Sequence, residues 1–209
     1  MPRDACDAGA ARYSGPVIDA TPQQKYQVRF DWGLGGFRAL AGSADVVIIA
    51  DALPSLSAEN STQAADVTAH HIADSTPTRV IAATLANRGA VAEWVLARQT
   101  EKGGRFSVAI IAAGDTRADG SFQPSVEDLL AAGSVIDALT DLGIDHCSPD
   151  AAAASAAFVG LKRALKHLVS ASQSGQALAA AGRAVEVAAA TALDSSVVID
   201  EIQSVQLPN

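Results

Sequence analysis

Asp45-Val46-Val47-Ile48-Ile49-Ala50-Asp51 is the stretch that decides the fold class. Val46 to Ala50 is apolar at every position and mostly β-branched. A strand with one wet face would alternate; an unbroken run reads as a strand buried on both faces, which is typical of a parallel sheet covered by helices. Arg79-Val80-Ile81-Ala82-Ala83 is another short strand. Phe106 to Ala113 is a further one, which ends in Gly114-Asp115. Tyr26 to Phe30 alternates instead, with Gln27 and Arg29 on the polar side, and predicts a half-buried strand at an edge.

Helical spacing fills the gaps between these runs. Asn87 opens a helix in which Val91, Trp94, Val95 and Leu96 share a face, and Gly103-Gly104 ends it. Ser125 to Leu142 is the next helix, followed by an Ala-rich one from Pro149 to Ser170 and two shorter ones, Ser174–Ala181 and Val185–Leu193. Asp31 to Gly36 reads as a turn before a short helix, Phe37–Ala41. Ser61 to Asp74 is weakly helical, and Gly114 to Pro124 is a polar loop. Ile144–Cys147 and Ser196–Ile199 add short strands. Strands alternating with helices predict an α/β fold: a mostly parallel sheet with helices on both faces, in three layers.

The 209 residues suit one such domain. Residues 1–24 mix Pro, Gly, Asp, Arg and Ala without an apolar run; they read as a poorly ordered extension rather than a secretion signal, leaving 25–209 as the domain. The net charge of -8 argues against a nucleic-acid partner, which needs a basic face. No apolar run is long enough for a membrane span. Cys6 and Cys147 lie far apart without zinc spacing and read as reduced thiols, Cys147 buried, in a cytoplasmic protein. An apolar edge left open would make the chain a homo-oligomer.

In α/β sheets ligands bind beyond the carboxyl ends of the strands. Two of those ends carry acids here, Asp51 and Asp115. Asp51 can hold a hard cation such as Mg²⁺, or simply start the turn before Pro54. Ser125-Val126-Glu127-Asp128 opens a helix, so Ser125 reads as an N-cap and Glu127 and Asp128 as acids suited to the macrodipole. The same pair can bind metal. Without a cation these acids would repel a phosphate, so a phosphate site here would need one. Asn87 is an N-cap or a holder of a substrate oxygen. Gly114, Asp115 and Gly120 could form a phosphate-cradling loop, although no Lys-Ser/Thr P-loop is present. Arg79, Arg88 and Arg117 are the candidate partners for an anion. His70-His71 point to different helix faces and chelate poorly. Gly33-Leu34-Gly35-Gly36 lacks dinucleotide spacing, and no Gly-x-Ser-x-Gly elbow exists.

Taken in order, four segments resemble the 2-phosphosulfolactate phosphatase family: Phe30-Asp31-Trp32-Gly33, Ala44 to Leu53, Val80 to Ala92, and Val108 to Gly114 continuing through Asp119-Gly120-Ser121 and Val126 to Gly133. The resemblance implies an Mg²⁺-dependent phosphatase acting on a small phosphorylated metabolite such as 2-phosphosulfolactate. It implies that Asp51, Glu127 and Asp128 hold the metal directly or through water, and that Asn87 orients a phosphate oxygen. The chain departs from the family pattern in Pro54-Ser55-Leu56-Ser57, in a shortened stretch between Asp51 and Asn87, and in Val198-Ile199-Asp200. These departures predict reduced or altered activity. The alternative is a degenerate member that binds a metabolite or a partner.

Overall fold

The computed structural model describes residues 23–54 and 78–202. Four parallel strands form the sheet: β1 (Val28–Trp32), β2 (Val46–Ala50), β3 (Arg79–Ala83) and β4 (Val108–Ala112), in the spatial order β1-β4-β2-β3. Around it lie α1 (Gly33–Leu40), α2 (Arg88–Lys102), α3 (Val126–Asp141), α4 (Pro149–Leu161), α5 (Leu165–Ala171), α6 (Gln173–Ala180) and α7 (Ala184–Ala190). This is the expected α/β fold, a parallel sheet with helices on both faces. Every residue of β2 is buried, as its apolar run predicts, and so is every residue of β4. Alternation sorts them. Ile48, Ile110 and Ala112 meet a large core with α2 to α7, while Val47, Ile49 and Ile111 meet Phe37 and Leu40 of α1.

Several elements differ from the sequence reading. The expected turn Asp31–Gly36 is absent: β1 runs on to Trp32, and α1 begins at Gly33, whose φ of 52° turns the chain in one residue. The polar side of β1 is not wet. Arg29 is buried and donates to the carbonyls of Tyr26, Gln24 and Ser43. The polar loop after Gly114 contains a hairpin, β5 (Asp115–Thr116) with β6 (Phe122–Gln123). The long Ala-rich helix breaks at a 3-10 turn, Lys162–Ala164, beyond which Leu165 and Val169 enter the core. Cys147 is half-buried rather than buried, and burial raises its thiol pKa. The expected helix Ser61–Asp74, His70-His71 and Cys6 lie outside the described residues.

Both sheet edges are covered. Beside β1, Val28 donates to the His146 carbonyl and Ser148 donates back to Val28, a single parallel bridge where a short strand was expected. The Gln23 amide completes that edge: Oε1 accepts the Phe30 N–H at 3.1 Å and Nε2 donates to the Phe30 carbonyl at 2.8 Å. Gln23 and Gln24 thus fold with the domain. Beside β3, Ser196–Ile199 is not the expected strand. Pairing comes later and antiparallel, with Ala82 donating to Asp200 and Ile202 to Val80, both at 2.9 Å.

Because the strands are parallel and in register, Trp32, Ala112, Ala50 and Ala83 lie on one line across the sheet. That line is the carboxyl rim. The chain leaves it at Gly33, Ala113, Asp51 and Thr84.

Candidate functional site

Asp51 follows the last residue of β2, and its carboxylate accepts the Leu53 N–H. The first turn of α3 lies against the same rim, bringing Glu127 and Asp128 to it. An acid serving only the helix dipole would point into water, but Glu127 is 3% exposed and Asp128 4%. Such burial needs a reason, because desolvated carboxylates are costly.

Asp128 has one. Its Oδ1 accepts the Ala52 N–H at 2.9 Å, and its Oδ2 accepts the Gly114 N–H at 2.9 Å and the Ser125 hydroxyl at 2.5 Å. Ser125 occupies the N-cap position yet makes no cap hydrogen bond, because its hydroxyl turns to Asp128. Glu127 has no such partners: among the described residues it makes no hydrogen bond or ion pair. Burial pushes the Asp51 carboxyl up to about 6; the Leu53 N–H opposes the rise, and the charges of Glu127 and Asp115 add to it. Burial also raises Asp128, reinforced by Asp51 and opposed by donation from Ser125 and Ala52. Asp51, Asp115, Glu127 and Asp128 therefore form one electrostatic cluster at the rim. Among the described residues, no three His, Cys, Asp or Glu side chains are placed to grip a metal ion together.

The other sequence candidates sit differently. Asn87 is buried and its amide is fully engaged: Oδ1 accepts the Thr84 N–H at 2.8 Å, and Nδ2 donates to Val198 O at 3.0 Å. It does not cap α2 through its side chain. Asp194 does that from far along the chain, accepting the Gly89 N–H at 3.0 Å. Arg88 pairs with Asp137 and Asp194, both at 3.1 Å. Asp137 lies roughly 13 Å beyond Asp128 along α3, and the guanidinium also donates to the Ser134 carbonyl there. The phosphate cradle expected of Gly114, Asp115 and Gly120 is not open. The Gly114 N–H is taken by Asp128 and the Gly120 N–H by the Arg117 carbonyl, while Asp115 accepts from Thr116. Of the other two candidate arginines, Arg79 pairs with Glu201, and Arg117 donates to the Ser121 hydroxyl and the Phe122 carbonyl within the hairpin. No local signal in the sequence announces the partnerships of Asp194 or Val198; that of Ser125 is the local one, a serine three residues before an acid at a helix start.

A separate cleft of about 460 Å³ opens at the end of β1, lined by Phe30, Trp32, Leu129 and Asp150 among others. None of the four clustered acids lines it, so it is not the same site.

A family model described as 2-phosphosulpholactate phosphatase matches residues 49–204. The chain belongs to this family. The 2-phosphosulpholactate phosphatase match takes in Asp51, Asn87, Asp115, Glu127 and Asp128, and begins after the Phe30–Gly33 and Ala44–Ile48 segments that also resemble the family. No curated protein matches the chain significantly.

Proposed function

We propose that this family member is an Mg²⁺-dependent phosphatase that hydrolyses the phosphate ester of a small phosphorylated acid such as 2-phosphosulpholactate. The observation that carries the reading is Glu127: buried, without a partner among the described residues, beside Asp51 at the strand ends. The donor chemistry fits the ion. Mg²⁺ prefers hard oxygens and is commonly held by one or two carboxylates, with waters and substrate phosphate completing the shell. Asp51 and Glu127 are the residues that would hold it. When bound, it supplies charge neutralisation and a more acidic water. The chain's own residues do the rest. Asp51 and Glu127 set where an anion is accepted, since without a counter-charge they repel it. Asn87 acts at a distance, by fixing the turn after β3. The free thiol of Cys147 fits a reducing compartment, the cytoplasm.

A second reading, a degenerate member that binds a metabolite without turnover, is favoured by Arg88. A doubly anionic substrate wants a guanidinium, and this one is committed to Asp137 and Asp194. Hydrolysis of p-nitrophenyl phosphate and of 2-phosphosulpholactate, with and without Mg²⁺, decides between the two. The expected result is Mg²⁺-dependent turnover that falls about 100-fold in Asp51→Asn. Turnover absent throughout, or indifferent to Asp51, removes the phosphatase reading and leaves the binding module.

A further inference from the structure

We propose that Asp128 is a positioning residue: its carboxylate locks the ends of β2 and β4 to the first turn of α3, and so sets the spacing between Asp51 and Glu127. The inference rests on the reading of Asp51 and Glu127 as the cation-holding pair.

The argument is a count of acceptor sites. An ionised carboxylate offers about four lone-pair positions. Three of those of Asp128 are filled, from three segments of the chain: Ala52 after β2, Gly114 after β4, and Ser125 before α3. Two of the donors are backbone N–H groups that cannot rotate away. They would lose that partner, Ala52 in a buried place and Gly114 in a part-buried one, if the carboxylate turned to a metal. The connectivity matters as much. Ala52 is the neighbour of Asp51, and Asp128 is the neighbour of Glu127, so the 2.9 Å bond between Ala52 and Asp128 ties Asp51 and Glu127 together through their neighbours. Gly114 can join because it has no Cβ: one built there would stand 2.4 Å from the Phe122 ring, at a φ of 71°. Asn at 128 could not do the same work, since its NH₂ would face an N–H where an oxygen is required.

A ligand and a clamp differ in the sign of their effect on the metal-free protein. Removing a buried charge from a crowded acidic cluster relieves repulsion; replacing the clamp by Asn strands one of the two N–H groups against an NH₂. Thermal unfolding in EDTA therefore separates them. Asp51→Asn and Glu127→Gln should hold or raise Tm, and Asp128→Asn should lower it by about 5 °C or more. Ser125→Ala, which removes one bond of the three, should lower it by about 2–4 °C and guards against a variant that does not fold. Calorimetric titration with MgCl₂ supplies the second readout. Asp51→Asn and Glu127→Gln should lose uptake, whereas Asp128→Asn and Ser125→Ala should keep the wild-type stoichiometry with affinity weakened about 10-fold or more. A metal-free Tm that rises in Asp128→Asn, together with lost uptake, makes Asp128 a ligand and overturns the proposal. Should the wild type take up no Mg²⁺, the phosphatase reading falls, and the sign of the Tm shifts alone still decides what Asp128 does.

Discussion

Asp45 shows how a single side chain can set an acid limit on this fold. It sits at the opposite end of β2 from the candidate site and accepts from Lys102 at 2.6 Å, from the Ser107 N–H at 2.7 Å and from the Ser107 hydroxyl at 2.9 Å. Burial opposes its ionisation, but donation from Lys102 and Ser107 wins and holds its pKa below the ordinary 3.8. A folded pKa below the unfolded one means stability that is complete above 3.8 and lost as pH falls through the lowered value. Asp45→Asn should cost about 1 kcal/mol at neutral pH and flatten the acid side of a Tm-against-pH curve. An unchanged acid limb would show that the contacts are too solvated to count. At this scale the sequence was partly legible. Asp51, Glu127 and Asp128 could be singled out because strand ends and helix starts are local features. The tie to the strand ends could not, because the two backbone donors of Asp128 lie 76 and 14 residues away and no spacing rule connects them, whereas its third donor, Ser125, is a local neighbour. The partners of Asn87 and Arg88 were hidden for the same reason: Val198, Asp137 and Asp194 come from other parts of the chain.

Helix packing behind the site depends on one missing side chain. A Cβ at Gly133 in α3 would stand 2.2 Å from the Ala154 carbonyl of α4. Gly133→Ala must therefore push the helices apart, at a cost of about 1–3 kcal/mol despite the better helix propensity of Ala. Denaturant unfolding would measure it, and a stabilised variant would mean that the helices are free to move. The segment after α7 is the other feature with consequences. Asp194 caps α2, Ser196 donates to Ala86 at 2.9 Å, Val198 accepts from Asn87, and Asp200 and Ile202 pair with β3. Asp194→Ala should cost about 0.5–2 kcal/mol, read from the denaturant midpoint. The strands and most helices were legible, since each declares itself by its own periodicity. The hairpin after β4 and the break after α4 were not. A two-residue strand has no period to read, and Ala-rich sequence is helical on both sides of Lys162–Ala164.

For the whole molecule, the α/β class could be read from the apolar runs, but the order β1-β4-β2-β3 could not, because strand order rests on long-range pairing. Among the described residues neither edge of the sheet is left open, so strand addition there is disfavoured. The Gln23 amide is part of that closure, and Gln23 adopts a φ of 58° to make it. Gln23→Ala should bare the Phe30 N–H and carbonyl and give association that grows with concentration in light scattering. A variant no more sticky than wild type would show that the edge is protected by other means. Among the described residues, no helix is long and apolar enough to cross a membrane. The strap beyond Asp194 also orders events in time. During synthesis the ribosome releases β3 and the start of α2 long before residues 194–202, which complete their hydrogen bonds. Until then the growing polypeptide carries a strand with one edge open, a natural client for a chaperone. Nascent chains stalled before Asp194 should be cut by protease near β3 far faster than those stalled after Ile202 has emerged.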